Sequence, residues 1–308
     1  MNVLKDVATG VGLVLATPVH MLGRLVSNVW WPLKGVKDEI VLITGGGSGI
    51  GKGMALKFAD LGATVVIWDV NKKGADAVVA EIREKHGQDR AHAYAIDITD
   101  REKVYALAKQ VKREVGAVTI LVNNAGIVTG KPFLEADDSK MVKTMEVNTI
   151  AHFWTTKAFL PDMLEKNHGH IVTVASSAGK VGVASLADYC ASKFGAVGFD
   201  ESIRFELRKM GKTGVHTTCV CPFFIDTGMF EGAKTKVPWL LPILKPELVV
   251  DRTIRAIRMN QATVAIPRFL YFGQFLQGIL PPSISDAIVD LFGANDSMDD
   301  FIGRTKKD

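Results

Sequence analysis

Residues 39–62 constrain this chain more than any other stretch. A short apolar run, 39–43, passes directly into Thr44-Gly45-Gly46-Gly47-Ser48-Gly49-Ile50-Gly51, and an amphipathic pattern then continues to Gly62. The spacing predicts a buried strand, a glycine turn and a helix in immediate succession. Glycines let a backbone approach a pyrophosphate closely, and a helix start offers N–H groups at the positive end of its dipole. A glycine pattern alone says little. Between a strand and a helix it marks a dinucleotide site.

The pattern then repeats without glycines. Residues 63–68 read as a second strand, closed by Asp69. An acidic residue about twenty positions beyond the glycines accepts hydrogen bonds from the adenosine ribose and repels a 2′-phosphate, which favours NAD over NADP. Lys72 and Lys73 work against that preference and keep NADP as the alternative. The competing role for Asp69 is a cap on the helix that follows. Helices are expected over 74–85 and 101–115, with strands over 90–96 and 119–122. A long helical pattern spans 137–165 and a strand 169–175. A helix then runs from Tyr189 to about Met210, followed by a strand over 215–221, a helix over 247–259 and a last strand over 262–266. Strands separated by helices predict an α/β fold, a doubly wound parallel sheet in one domain. Ligands bind such sheets at the carboxyl ends of the strands, where Gly45, Asp69, Asp97 and Asn123 fall.

Tyr189 and Lys193 share a helix face, being four residues apart. A phenol ionises near pH ~10, and an adjacent ammonium lowers that value. The pair is therefore suited to exchanging a proton with an alcohol near neutral pH.

The net charge of +4 is spread without a basic run and gives no reason to expect nucleic acid. The three cysteines, Cys190, Cys219 and Cys221, lack framework spacing and suit a reducing compartment. Cys219 and Cys221 are read as core residues on alternate faces of a strand. No metal-ligand spacing is visible. The apolar fraction of 47% is high for a chain attached to nothing. Residues 7–31 are nearly free of charge, yet Pro18 and His20 interrupt them, and the clean part is shorter than the ~20 residues a spanning helix needs. Met1–Asp6 lacks the basic start of an export signal. A buried helix is one alternative. Membrane attachment fits best, with Trp30 and Trp31 at headgroup level beside Arg24, Lys34 and Lys37. The expected organisation is an anchor over 1–36, a catalytic domain over 37–268 and an apolar extension with a polar, frayed tail over 269–308.

Together, TGGGSGIG at 44–51, NNAG at 123–126, Asn148, Ser176 and YCASK at 189–193 resemble the short-chain dehydrogenases/reductases over about residues 39–228. The resemblance implies that Tyr189 is the acid/base. Lys193 lowers its pKa and holds the nicotinamide ribose, Ser176 bonds the substrate oxygen, and Asn148 anchors a water beside Lys193. Cofactor contacts are implied for Gly45, Gly47, Ser48, Gly49, Ile50, Gly51 and Asp69. Asp97, Ile98, Asn123, Ala125, Gly126, Pro222, Ile225 and Thr227 complete that set with Tyr189 and Lys193. The chain departs from the family at Phe223, where glycine is usual, and this suggests a stiffer, more apolar wall.

Stretches such as AHFWTTKAFLP and CPFFIDTGMFEG are similar to a branch holding membrane-bound retinol dehydrogenases and the 17-beta-hydroxysteroid dehydrogenases of lipid droplets. This branch implies a homodimer at endoplasmic reticulum or lipid-droplet surfaces. Residues 228–246 are where the family places its substrate lid. With Phe223, Phe224, Met229 and Phe230 it is strongly apolar, which suits a lipophilic alcohol. The expected reaction is oxidation of all-trans-retinol, with a 17-beta-hydroxysteroid as runner-up. A reading of another class is a nucleotide-binding lipid-droplet protein with little turnover. The apolar stretch 269–292 is expected against a second subunit or in the membrane interface.

Overall fold

Strands that are apolar along their whole length, such as Ile40-Val41-Leu42-Ile43, can be satisfied only between two helical layers. The computed structural model describes residues 33–303 and builds that sandwich. Its strands are β1 (Ile40–Thr44), β2 (Thr64–Asp69), β3 (Ala91–Ala95), β4 (Ile120–Asn123), β5 (Gly169–Val174), β6 (Val215–Pro222) and β7 (Thr263–Ile266). They form one seven-stranded sheet, all parallel, in the order β3-β2-β1-β4-β5-β6-β7. The order reverses between β1 and β4, and a crevice opens at such a point.

The strand period of two assigns each face its own core. Val41 and Ile43 of β1, with Val65 and Ile67 of β2, pack against Met54 and Phe58 of α1 (Gly49–Asp60) and Val78 and Ile82 of α2 (Lys72–His86). Leu42, Val66 and Trp68 face the other way. They meet Val104 and Val111 of α3 (Arg101–Glu114), and the Trp68 ring lies 5.5 Å from that of Phe159.

The helical pattern over 137–165 is not one α-helix. It divides into α4 (Asp138–Met145) and α5 (Ala151–Lys166), joined by a π-helical turn, Glu146–Ile150. Such turns recur at functional sites because the extra residue redirects a side chain, and here that residue group carries Asn148. The predicted helix at Tyr189 is α6 (Ala187–Lys209), and α7 (Pro246–Arg258) completes the first helical layer through Ile254 and Ile257.

Cys219 and Cys221 do not occupy alternate faces as expected. Residues two apart on a strand share a face, and the two buried sulfurs lie 3.8 Å apart. Residues 269–292 form two short helices, α8 (Phe269–Ile279) and α9 (Pro282–Leu291). The described part of the tail is not frayed. Fraying is expected from Asp299 onward, but the segment is instead held by Phe301 N donating to Met298 O at 3.0 Å and Ile302 N to Glu231 O at 2.9 Å. Two apolar residues, Met298 and Phe301, pin this polar-looking segment to the fold.

From Gly35 onward the chain forms one unit. Among the described residues no helix is long and apolar enough to cross a membrane. The proposed attachment segment, 7–31, lies outside the described residues.

Phe58 is fully buried where α1 meets β1 and β2. Phe58→Ala is expected to remove about 3–5 kcal/mol of stability, read by denaturant titration of the purified protein. A loss under ~1 kcal/mol, far below that range, would show that α1 is seated by something other than this core.

Candidate active site

The two turns at the switch point are in contact. Gly45, at the end of β1, adopts φ +66, and a Cβ there would fall 2.9 Å from Ala125 Cα in the turn after β4. A Cβ on Gly51, in the first turn of α1, would fall 2.1 Å from Gly45 O. Glycine is required at both places, once for the left-handed backbone and once for the close approach. Asn124 locks the junction, its Nδ2 donating to Thr44 O at 2.9 Å and Gly45 O at 3.1 Å. Thr44 Oγ1 in return accepts from Asn124 N and Ala125 N at 3.0 and 3.1 Å. The cap residue Ser48 makes no side-chain cap bond to α1, and the first turn contains no acidic residue. The positive end of the helix dipole therefore faces the crevice without a carboxylate of its own turn to offset it.

Asp69 lines the crevice at the end of β2, its Oδ2 accepting from Gly47 N and its Oδ1 from Asn71 N, both at 2.9 Å. It does not cap α2, because that place is taken by Asn71, which accepts from Gly74 N. Lys72 pairs with Asp76 on its own helix. Asp97 accepts from Thr99 and from Lys143 Nζ at 3.0 Å, and these bonds hold its carboxyl below the usual range despite partial burial.

A second group of side chains stands at the ends of β4, β5 and β6. Ser176 Oγ accepts from Ala178 N at 3.1 Å and donates to Pro222 O at 3.5 Å. Lys193 Nζ donates to Val174 O at 2.9 Å and sits 5.7 Å from the centroid of the Tyr189 ring. Asn148 Nδ2 donates to Ile127 O and Ser192 Oγ, and its Oδ1 accepts from Ile127 N at 2.9 Å. The π-helical turn thus ties the segment after NNAG to α6.

The expected lowering of the phenol by Lys193 is not what this geometry gives. Burial pushes the Tyr189 phenol up, and the neighbouring Ser176 hydroxyl only partly opposes it. The ammonium is engaged with a carbonyl rather than with the phenol oxygen. Burial also pulls Lys193 down, to about 8.

These two groups line a single cleft of about 980 Å³. Of the residues singled out in the sequence, the cleft includes Gly45, Ser48, Gly49, Ile50, Gly51, Asp69, Asp97, Ile98, Ala125 and Gly126. Ser176, Tyr189, Lys193, Pro222, Phe223, Phe224, Ile225, Thr227, Met229 and Phe230 continue its wall. Three expected contacts lie elsewhere. Gly47 stands behind Asp69 as its donor, and Asn148 is fully buried. Asn123 is also buried, its Oδ1 accepting from Thr155 and its Nδ2 donating to Thr156 of α5, while its neighbour Asn124 lines the cleft. Sequence reasoning also missed α8 and α9, whose Phe269, Leu270, Phe272, Leu276 and Val289 wall the far side. Their apolar composition was visible, but not their place.

The short chain dehydrogenase family model matches residues 39–238, and the chain belongs to that family. Epidermal retinol dehydrogenase 2 of Mus musculus is 53% identical over 276 residues, 90% of this chain and 89% of that protein. Retinol dehydrogenase 10 of Homo sapiens is 42% identical, over 89% of this chain and 88% of its own length. A solved short-chain dehydrogenase/reductase from Burkholderia phymatum, in complex with NAD, superposes with a TM-score of 0.72 at 26% identity, spanning 80% of this chain and 95% of that one.

The depressed Lys193 fixes the sign of one pH effect. Between about 8 and the ordinary 10.5, the unfolded chain holds the Lys193 proton and the folded chain does not. This group's contribution to stability therefore rises with pH across that window. Comparing the melting temperatures of wild type and Lys193→Met from pH 7 to 10.5 is expected to show the variant's advantage shrinking as pH rises. A difference independent of pH would show that Lys193 is not desolvated.

Proposed function

We propose that this protein oxidises a lipophilic alcohol with NAD, and that the alcohol is all-trans-retinol, released as retinal. The carrying observation is the joining of two halves in one cleft. A phosphate-accommodating glycine turn and a ribose-accepting carboxylate lie at one end, and Ser176, Tyr189 and Lys193 stand under an aromatic wall at the other. Retinol as the substrate is supported by the names and extent of the similar proteins.

The residues fit a dinucleotide. Gly45, Gly49 and Gly51 leave room for a pyrophosphate at the start of α1, and Asp69 presents a carboxylate where an adenosine ribose would be held. NAD, when bound, supplies the hydride acceptor. Lys193 holds the nicotinamide ribose, and Thr227, whose side chain lies close to Gly49, meets the carboxamide. Ser176 donates to the substrate oxygen where alkoxide charge develops. Tyr189 takes the hydroxyl proton, with Lys193 Nζ 5.7 Å from the centroid of its ring. Asn148 anchors a water that passes the proton on from Lys193.

The polar set is small and the rest of the wall is apolar, as a hydrocarbon substrate requires. Phe223, in place of the usual glycine, packs its ring 4.8 Å from that of Phe224 and extends that wall. The enzyme acts at the surface of the endoplasmic reticulum or a lipid droplet. Membrane attachment is supported by the nearly uncharged run 7–31 and by Phe272, Phe275 and Ile279, which α8 leaves exposed beside the cleft. A homodimer through α4, α5 and α6 is supported by the exposed Val142, Phe153, Phe194 and Phe205.

Membranes containing the protein, given NAD and in turn retinol, estradiol and a long-chain alcohol, are expected to reduce NAD fastest with retinol. Preference for estradiol would move the substrate to the steroids, and tight NAD binding without turnover would favour an interaction protein. Tyr189→Phe is expected to lower kcat by roughly 10²–10⁴-fold while NAD binding persists. Activity that survives this change would remove Tyr189 from the acid/base role. In the same assay Asp69→Ala is expected to erase the preference for NAD over NADP, and an unchanged preference would overturn the role given to that carboxylate.

A further inference from the structure

Phe230 lines the reacting end of the cleft, its ring 5.6 Å from that of Tyr189 and edge-on at 80°. Within its own loop it is held by one backbone bond, Ala233 N to Phe230 O at 3.1 Å, and by packing on Ala233. Residues 228–236 form turns without regular structure, and the segment after α9 crosses directly over them. Lys234 N donates to Ser297 O at 2.9 Å, while Ile302 N and Gly303 N both donate to Glu231 O. Gly232, at φ +89, allows the two strands of chain to pass so closely that a Cβ there would fall 2.0 Å from Asp300 O. Lys234 and Asp300 also pair at 2.5 Å, but both side chains are more than half exposed, so the pair contributes little.

The firmer attachment is Phe301. Its ring packs 6.3 Å from that of Phe230, in the cluster that also holds Phe224 and Tyr189. It also lies over Gly130, in the segment following NNAG, where a Cβ would sit 2.1 Å from its Cε1. Phe301 is not itself a wall of the cleft. Any effect it has on substrate must therefore pass through Phe230.

We infer that Phe301 is a positioning residue: wedged between Gly130 and Phe230, it holds Phe230 against Tyr189 and so sets how the alcohol fits at the reacting end. This rests on the alcohol-oxidising reading above. Without the wedge, Phe230 can retreat into the space left behind, and the alcohol loses one apolar contact beside its reacting carbon. The glycine turn, residues 44–51, is not among the residues that Phe301 packs against.

The test uses the full chain in membranes, with retinol and NAD. Phe301→Ala is expected to raise the retinol KM about tenfold, the lower range for one apolar pocket contact, with kcat and the NAD KM near wild type. Phe301→Leu, which refills the space, is expected to restore most of the loss. Because Phe301 acts through Phe230, adding Phe301→Ala to Phe230→Ala is expected to change little further. An unchanged retinol KM, an equal rise in the NAD KM, or full additivity in the double variant would each overturn the inference. If wild type turns over no alcohol, the alcohol reading fails by itself, and amide exchange then decides on the wedge. Phe301→Ala must speed exchange over 228–236 and leave 39–51 unchanged, and equal exchange over 228–236 in both proteins would reject it.

Discussion

The contact between the turn after β1 and the turn after β4 governs this structure. Gly45 and Gly51 approach as closely as backbones can, and Ala125 fills the space that a side chain on Gly45 would need. Asn124 and Thr44 then close the junction with four hydrogen bonds. A larger residue at either glycine would part the two strands at the point where the sheet reverses its winding. Because the start of α1 is anchored to the same junction, the fold and the dinucleotide half of the cleft cannot be varied separately.

The reacting half is held differently, by buried polar groups. Asn148 joins the π-helical turn to the backbone of Ile127, and its bond to Ser192 ties both to α6. Lys193 is engaged with Val174 O. These are expensive groups to desolvate, and each is given a partner. The same burial that makes the site rigid drives the Tyr189 phenol and the Lys193 ammonium towards their neutral forms.

The apolar end is assembled from segments distant in the chain. Phe223 and Phe224 follow β6, Met229 and Phe230 begin the lid, and α8 and α9 close the far side. None of these is a site alone. The tail that fastens them is made of ordinary backbone hydrogen bonds and two apolar residues in a polar stretch.

The alternation of apolar runs and helical patterns was enough to establish a parallel sheet, since a strand apolar on both faces has no other stable setting. The glycine spacing located the phosphate end, because backbone approach depends on local residue type. Tyr189 and Lys193 were legible because a helix sets their relative positions, and Ser176 through the resemblance to the family. What the sequence could not give depended on contacts between distant segments. Asn123 and Asn124 are chemically identical, and only the packing of α5 under β4 decides that the first is buried and the second faces the cleft. A helical pattern shows no difference between an α-turn and the π-turn that carries Asn148. The apolar segment 269–292 could have met a second subunit, a membrane or its own domain. Tertiary structure placed it along the cleft, because composition states that a surface must be covered and not what covers it.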